Sequence, residues 1–295
     1  MNGFLVAMKV SRYVPVWFIR LVAGFGAWIA WVKHGKGVRR LEDNYHRVTG
    51  LEGRELRRLS RLGMASAARY YSEVLELPRM TGDVIDARMR TVGIARSLES
   101  MKRDGRICVV LGHSGNWDLV GAWTCRNLGT VRTVAEVLKP HEVFDEFVKV
   151  REKVGMTVLG LEGSGTFREL ISIGLRDGGV IALLADRDLS GSGVEVEMWG
   201  RKVRVAPGPA AYALATKTEL SVLHVRYERI HGARRWRARS RWGIVMEFGE
   251  PVAIPAGTKT EQIAAMSQEW ATFLADRIRT YPEDWHMLQR FGWVE

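Results

Sequence analysis

Residues 107–118 read Ile-Cys-Val-Val-Leu-Gly-His-Ser-Gly-Asn-Trp-Asp, and the parsing of that stretch decides the fold. Five apolar residues in a row, from Ile107 to Leu111, show no polar alternation and are rich in β-branched side chains. A strand buried on both faces has that pattern, as strands of parallel sheets do. Gly112 breaks the run, and Ser114 or Asn116 then offers an N-cap for a following helix. Similar apolar runs recur at 131–137, 157–161, 180–185 and 220–227. Between them lie helical stretches at 119–128, 143–153, 166–175 and 209–218, with earlier helices predicted over 53–77 and 94–102. Val194 to Met198 and Lys202 to Val205, split by Trp199-Gly200-Arg201, predict a hairpin. Residues 236–248 predict further strand, and 260–280 a long closing helix. Strands alternating with helices make this an α/β chain, with one central, mostly parallel sheet flanked by helices.

The chain has 295 residues, of which 46% are apolar, enough for one large core and too many for a disordered segment. No repeat or low-complexity tract interrupts it. Two cysteines, Cys108 and Cys125, make neither a disulfide framework nor a thiolate zinc site, and the histidines have no metal-ligand spacing. The net charge of +11 admits a polyanionic partner, either nucleic acid or an anionic membrane.

The N-terminus favours the membrane. Residues 15–32 contain a single charge, Arg20, among Trp17, Phe18, Phe25, Trp28 and Trp31, and the basic residues Lys33, Lys36, Arg39 and Arg40 come directly after. An arginine inside the run argues against a simple span, at a cost of about 2.5–3.5 kcal/mol. The aromatic rings suit the membrane interface, and the trailing basic cluster keeps the rest of the chain on the cytoplasmic side. The expectation is an amphipathic helix within residues 1–40 lying on the membrane, ahead of an α/β domain over 41–295. A buried helix remains the plain alternative. Arg235, Arg237, Arg239 and Arg241 alternate, and on a strand they would share one face toward an anionic surface. No nucleic-acid-binding signature accompanies them.

His113 and Asp118 are the pair with chemical potential. His113 leaves the end of a strand, where ligands of parallel sheets bind, and Asp118 falls in the first turn of the next helix. From there the carboxylate is expected to reach back to the imidazole, fixing one nitrogen as donor and leaving the other as base. The pair alone does not exclude a structural histidine. Ser114 lacks the spacing of a hydrolase nucleophile elbow. Cys108, inside the strand, reads as packing. Gly163-Ser164-Gly165 before a helix fits a phosphate cradle or an ordinary cap equally.

More of the chain bears on this pair. His113-(x4)-Asp118 after an apolar strand resembles the HX4D signature of glycerolipid-type acyltransferases. The blocks 179–188, 193–196, Trp199-Gly200 and 206–211, with Tyr281-Pro282-Glu283-Asp284-Trp285, resemble the bacterial lipid A late-acyltransferase family. Within it, the likeness is to the actinobacterial branch that acylates phosphatidylinositol mannosides. One departure is His286-Met287-Leu288-Gln289, where the family has further tryptophan and basic residues.

The resemblance implies a membrane-associated enzyme at the cytoplasmic face that moves a long acyl chain from acyl-CoA to a mannose hydroxyl of such a glycolipid. Acyl-CoA would be the co-substrate, with no metal and no other cofactor. His113 would be the base and Asp118 its orienter, with no acyl-enzyme, and a hydrophobic groove opening near the N-terminal helix would hold the chain. Glu195 on the hairpin is a further catalytic candidate. Arg187, Lys139 and Arg151 are candidates for substrate anions. An acyl-carrier-protein donor and a non-catalytic membrane-binding protein are the alternatives.

Overall fold

The computed structural model describes residues 8, 10–137, 139–161, 163–188, 191 and 193–294, without the side chains of Arg12 and Ser164. Helices α1 (Val16–Lys33), α2 (Lys36–Thr49), α3 (Gly53–Glu76) and α4 (Gly82–Arg88) precede the first strand, β1 (Met89–Val92). The alternating core continues as α5 (Ala95–Asp104), β2 (Arg106–Leu111), α6 (Trp117–Asn127), β3 (Val131–Ala135), α7 (His141–Lys153), β4 (Thr157–Gly160), α8 (Ser164–Asp177) and β5 (Gly179–Leu184). Then come the hairpin β6 (Val194–Met198) and β7 (Arg201–Val205), α9 (Gly208–Thr216), β8 (Leu220–Arg229), α10 (Gly232–Ala238), β9 (Trp242–Phe248) and α11 (Lys259–Thr280).

Among the described residues, seven strands form one sheet in the order β1-β9-β8-β2-β5-β3-β4, and only β8 with β9 is antiparallel. The alternation of β2 shows why the run had no polar positions. Ile107, Val109 and Leu111 face a core shared with α6 and α4, whereas Cys108 and Val110 face a second core shared with α9 and α11. Both sides of the strand are buried, so both need apolar side chains.

Strand order also locates the site. From β2 the chain crosses over β5 to reach β3, through α6 on the first core. From β5 it crosses back over β2 to reach β8, through α9 on the second. The connections diverge between β2 and β5, which makes the carboxyl ends of these two strands a topological switch point, where open α/β sheets bind ligands.

One predicted strand is wrong in part. Residues 232–238 form α10, which opens at Gly232 with φ 56 and closes at Arg239 with φ 48, and the strand starts only at Trp242. The four arginines therefore do not share a strand face. Arg235 and Arg237 lie on α10, Arg239 caps it, and Arg241 precedes β9.

The N-terminal helix is present as α1 and lies along α3. Arg20, the lone charge of the run, turns inward and makes two 2.7 Å hydrogen bonds to Glu76. Trp31 Nε1 donates to Ser60, and Arg57 donates to the Trp31 carbonyl. The opposite side carries Trp17, Phe18, Leu21, Val22, Phe25 and Trp28, all exposed. Among the described residues α1 is the one helix long and apolar enough to cross a membrane.

Candidate active site

Strands β2 and β5 end in register, Leu111 beside Leu184. Two residues beyond each end stand His113 and Asp186, and they meet. Asp186 is fully buried. Its Oδ1 lies 2.6 Å from His113 Nδ1, and its Oδ2 accepts the His113 backbone N–H and the Trp285 indole N–H, each at 3.0 Å. Burial alone would push the Asp186 carboxyl up. The imidazole, the two other His113 and Trp285 donors and their charge outweigh it and hold the group below the usual carboxylate range. An ionised carboxylate only accepts, so Nδ1 carries the proton and Nε2 keeps a lone pair. This is the geometry of a general base held by its orienter.

The expected partner was Asp118, and the structure corrects this. Asp118 does stand in the first turn of α6, which Asn116 caps by accepting from Leu119 N–H. However, it points to α7 and α3. Arg151 Nε donates to its Oδ1 at 2.6 Å, and the Tyr70 hydroxyl to its Oδ2 at 2.7 Å. Asp118 lies on the face of α6 that packs against α7 and α3, and Arg151 offers full charge compensation where a half-exposed imidazole does not. Burial would lower the Arg151 pKa, yet the adjoining Asp118 and Tyr70 raise it above its ordinary value. Arg151 thus stays cationic.

The loop between His113 and α6 is clamped from behind by the C-terminal segment. Gly115 N–H donates to the Asp284 carbonyl, Ser114 pairs with Trp285, and His286 N–H donates to the His113 carbonyl at 2.9 Å. Gly115 has φ 60, and a Cβ there would come within 2.8 Å of Val225. Only glycine lets the loop turn so close to β8.

A cavity of about 600 Å³ opens at this point. Its floor is Ile107, Val109 and Leu111 of β2 with Val180, Ala182 and Leu184 of β5. Val120, Gly121, Phe144 and Phe147 of α6 and α7 cover it. The β2 floor alone runs the four steps from Ile107 to Leu111, about 13 Å. The polar groups His113, Glu136, Arg151, Arg187 and His286 gather at one end. Arg187 donates to Glu136 at 2.9 Å. Burial lowers His286 to about 3, so its ring is neutral there. An apolar slot ending at a base suits a long hydrocarbon whose reacting end must meet a hydroxyl.

A family model described as bacterial lipid A biosynthesis acyltransferase matches residues 3–291. The chain belongs to this family. It is 33% identical over 289 residues to a phosphatidylinositol mannoside acyltransferase of Mycolicibacterium smegmatis, covering 97% of this chain and 89% of that one. A Mycobacterium tuberculosis (strain H37Rv) protein of the same name is 33% identical over 292 residues, covering 97% and 86%. The crystal structure of a 1-acyl-sn-glycerophosphate acyltransferase from Thermotoga maritima is similar at a TM-score of 0.38 and 16% identity, covering 90% of this chain and 96% of that chain.

Of the residues singled out from sequence, this acyltransferase brings His113, Asp118, Arg151 and Arg187 to one cavity. Glu195 is not among them. It faces solvent on the hairpin, paired with Lys202 at 2.8 Å, because alternation on a two-stranded ribbon sends it outward while Val196 packs inward. Lys139 is exposed and does not line the cavity. Among the described residues no lining residue comes from α1, and the element between that helix and the cavity is α3, which lines it with Tyr70 and Tyr71. Ser114 is buried, and neither it nor Cys108, whose thiol burial pushes up, bonds to His113. Asp186, Trp285, Glu136 and Tyr70 went unassigned in the sequence. Asp186 had a signal, since it comes directly after a strand that strand order sets beside β2.

Proposed function

We propose that the protein transfers a long, palmitoyl-type acyl chain from acyl-CoA to a mannose hydroxyl of a phosphatidylinositol mannoside. The observation that carries this is the His113–Asp186 pair at the polar end of a cavity floored by apolar strands. His113 Nε2 takes the hydroxyl proton as the oxygen attacks the thioester carbon. The tetrahedral intermediate then expels sulfur, which leaves as thiolate or takes the proton back from the imidazolium. A thiol of pKa about 8.5 leaves readily, so activating the hydroxyl is the harder task and the one His113 performs. The arginines at the cavity's polar end, Arg187 foremost, are placed for the phosphates or the developing oxyanion. The names of the mycobacterial relatives support the acceptor.

The exposed aromatic face of α1 supports a peripheral location. Residues 1–40 would lie on the cytoplasmic face of the membrane and 41–295 would carry the chemistry. With Arg20 tied to Glu76, the helix is anchored to the protein along one side and offers only the other to lipid.

Purified protein with radiolabelled palmitoyl-CoA and phosphatidylinositol mannosides, run beside His113→Ala, tests the proposal. A new acylated glycolipid is expected, reduced by about 10²–10⁴-fold in the variant. Thioester hydrolysis with no new lipid would refute the acceptor. Transfer from acyl carrier protein alone would refute the CoA donor.

A further inference from the structure

A second cavity, of about 640 Å³, shares no lining residue with the first. It lies between α1, α3 and the segment 235–242, and five arginines line it: Arg20, Arg69, Arg235, Arg239 and Arg241. The acidic residue lining it, Glu73, is already committed. Arg88 holds one of its oxygens, and Asn116 and the Tyr227 hydroxyl hold the other.

Arg69 is the informative member. Its guanidinium carbon lies 3.6 Å from the Trp242 ring centroid and 4.5 Å from that of Tyr227. Stacking fixes the plane of the group, yet among the described residues the guanidinium makes no hydrogen bond. A second guanidinium, Arg229, lies 4.0 Å from the same indole. Held in place by the two rings and open to the cavity, this fork of N–H donors has no protein acceptor among the described residues and is set to take an anion. Burial lowers the Arg69 pKa.

The position of the cavity selects the anion. Arg20 and Gly24 of α1 form one wall, and Leu21, Phe25 and Trp28 of the same helix are exposed. Trp236 is 80% exposed, a ring suited to the membrane interface. With that apolar face in lipid, the arginines sit at headgroup depth. We infer that this cavity binds the phosphodiester of an anionic membrane phospholipid, with Arg69 as its bidentate ligand. The inference rests on the reading of α1 as membrane-facing, but not on the chemistry at His113. The site fixes which side of the protein the membrane meets.

The test uses the full chain with phosphatidylcholine vesicles with and without phosphatidylinositol. Soluble glycerophosphoinositol and inorganic phosphate are titrated in parallel by tryptophan fluorescence. Arg69→Gln is expected to weaken binding to phosphatidylinositol vesicles and to glycerophosphoinositol about tenfold, the loss typical of a charge-assisted contact. Arg176→Gln, an equal charge change on the exposed end of α8, is expected to leave both unchanged. Arg235→Gln, on an exposed helical position, is expected to weaken vesicle binding about fivefold, which covers the case in which Arg69→Gln fails to fold. Equal losses in Arg69→Gln and Arg176→Gln would reduce the effect to net charge and overturn the site. Arg69-dependent binding of inorganic phosphate, with vesicle binding unaffected, would overturn the lipid assignment. Because no readout is acyl transfer, failure here is distinguishable from failure of the proposed reaction.

Discussion

Two carboxylates stand behind the mouth of the cavity at His113. Asp118 lies five residues after His113 and ties α6 to Arg151 of α7 and Tyr70 of α3. Asp186 lies 73 residues away in sequence and takes three hydrogen bonds, two from His113 and one from Trp285. One carboxylate builds the wall of the site, while the other holds the His113 ring and the proton on its Nδ1. Separation along the chain misleads here because β2 and β5 end side by side, whereas α6 presents Asp118 to the face that packs against α7 and α3.

Replacing each carboxylate in turn breaks the comparison most directly. In Asp186→Asn the amide oxygen keeps the His113 N–H and Trp285 indole donors, which turns the N–H₂ toward Nδ1, and the ring relieves the conflict by moving its proton to Nε2. The base is then blocked, and kcat is expected to fall about a thousandfold with KM little changed. Asp118→Asn leaves His113 and its partner intact. It strips the charge from a buried pair, so the expected loss is mainly stability, about 3–5 kcal/mol by denaturant titration, with kcat down about tenfold. If Asp118→Asn costs more kcat than Asp186→Asn at a temperature where both are folded, the roles are reversed.

A third carboxylate sharpens the contrast. Asp284 is buried behind the same loop and has no cation partner among the described residues. It accepts only from the Ser66 hydroxyl and Tyr227 N–H. Burial, the largest influence, raises it to about 6 despite these hydrogen bonds. The folded state therefore holds this proton more tightly than the unfolded chain, where aspartate titrates near 3.9. The stability it confers is full below about pH 4 and is lost as pH rises through about 6, with an upper bound of roughly 3 kcal/mol. Relative to Asp284→Asn, the wild type should gain stability in urea titrations as pH falls from 7 to 5. A gap that stays constant over that range would mean that Asp284 remains ionised down to pH 5 in the folded protein, as in the unfolded chain, and that burial does not raise it.

The legibility of each part in the sequence depends on the kind of signal it leaves. The apolar runs and their spacing carried the parallel sheet, because a strand buried on two faces admits no polar position. The 236–248 error came from tryptophan and arginine alternation, which a short exposed helix displays just as well when no core face constrains it. His113 was legible as the residue leaving a strand end. Its carboxylate partner depended on strand order, a non-local property that no local pattern records, although the run that became β5 was legible up to the residue before Asp186. Trp285 belonged to a recognisable C-terminal stretch, but only the chain's return past the His113 loop gives its indole an acceptor.

The smallest expected effect belongs to the residue that sequence position favoured and packing did not. Glu195 comes soon after the Asp186 block and faces Arg204 across the hairpin, with its carboxylate 2.8 Å from Lys202 and open to water. Lys202 holds its pKa below the usual range, so it is ionised and satisfied at neutral pH. An exposed pair of this kind contributes little, and its energy is screened by salt. Glu195→Gln should leave both kcat and KM for acyl transfer at wild-type values, beside the thousandfold loss in Asp186→Asn. A comparable drop in kcat would place the hairpin against the reacting hydroxyl and make Asp186 one of two acidic partners rather than the one that matters.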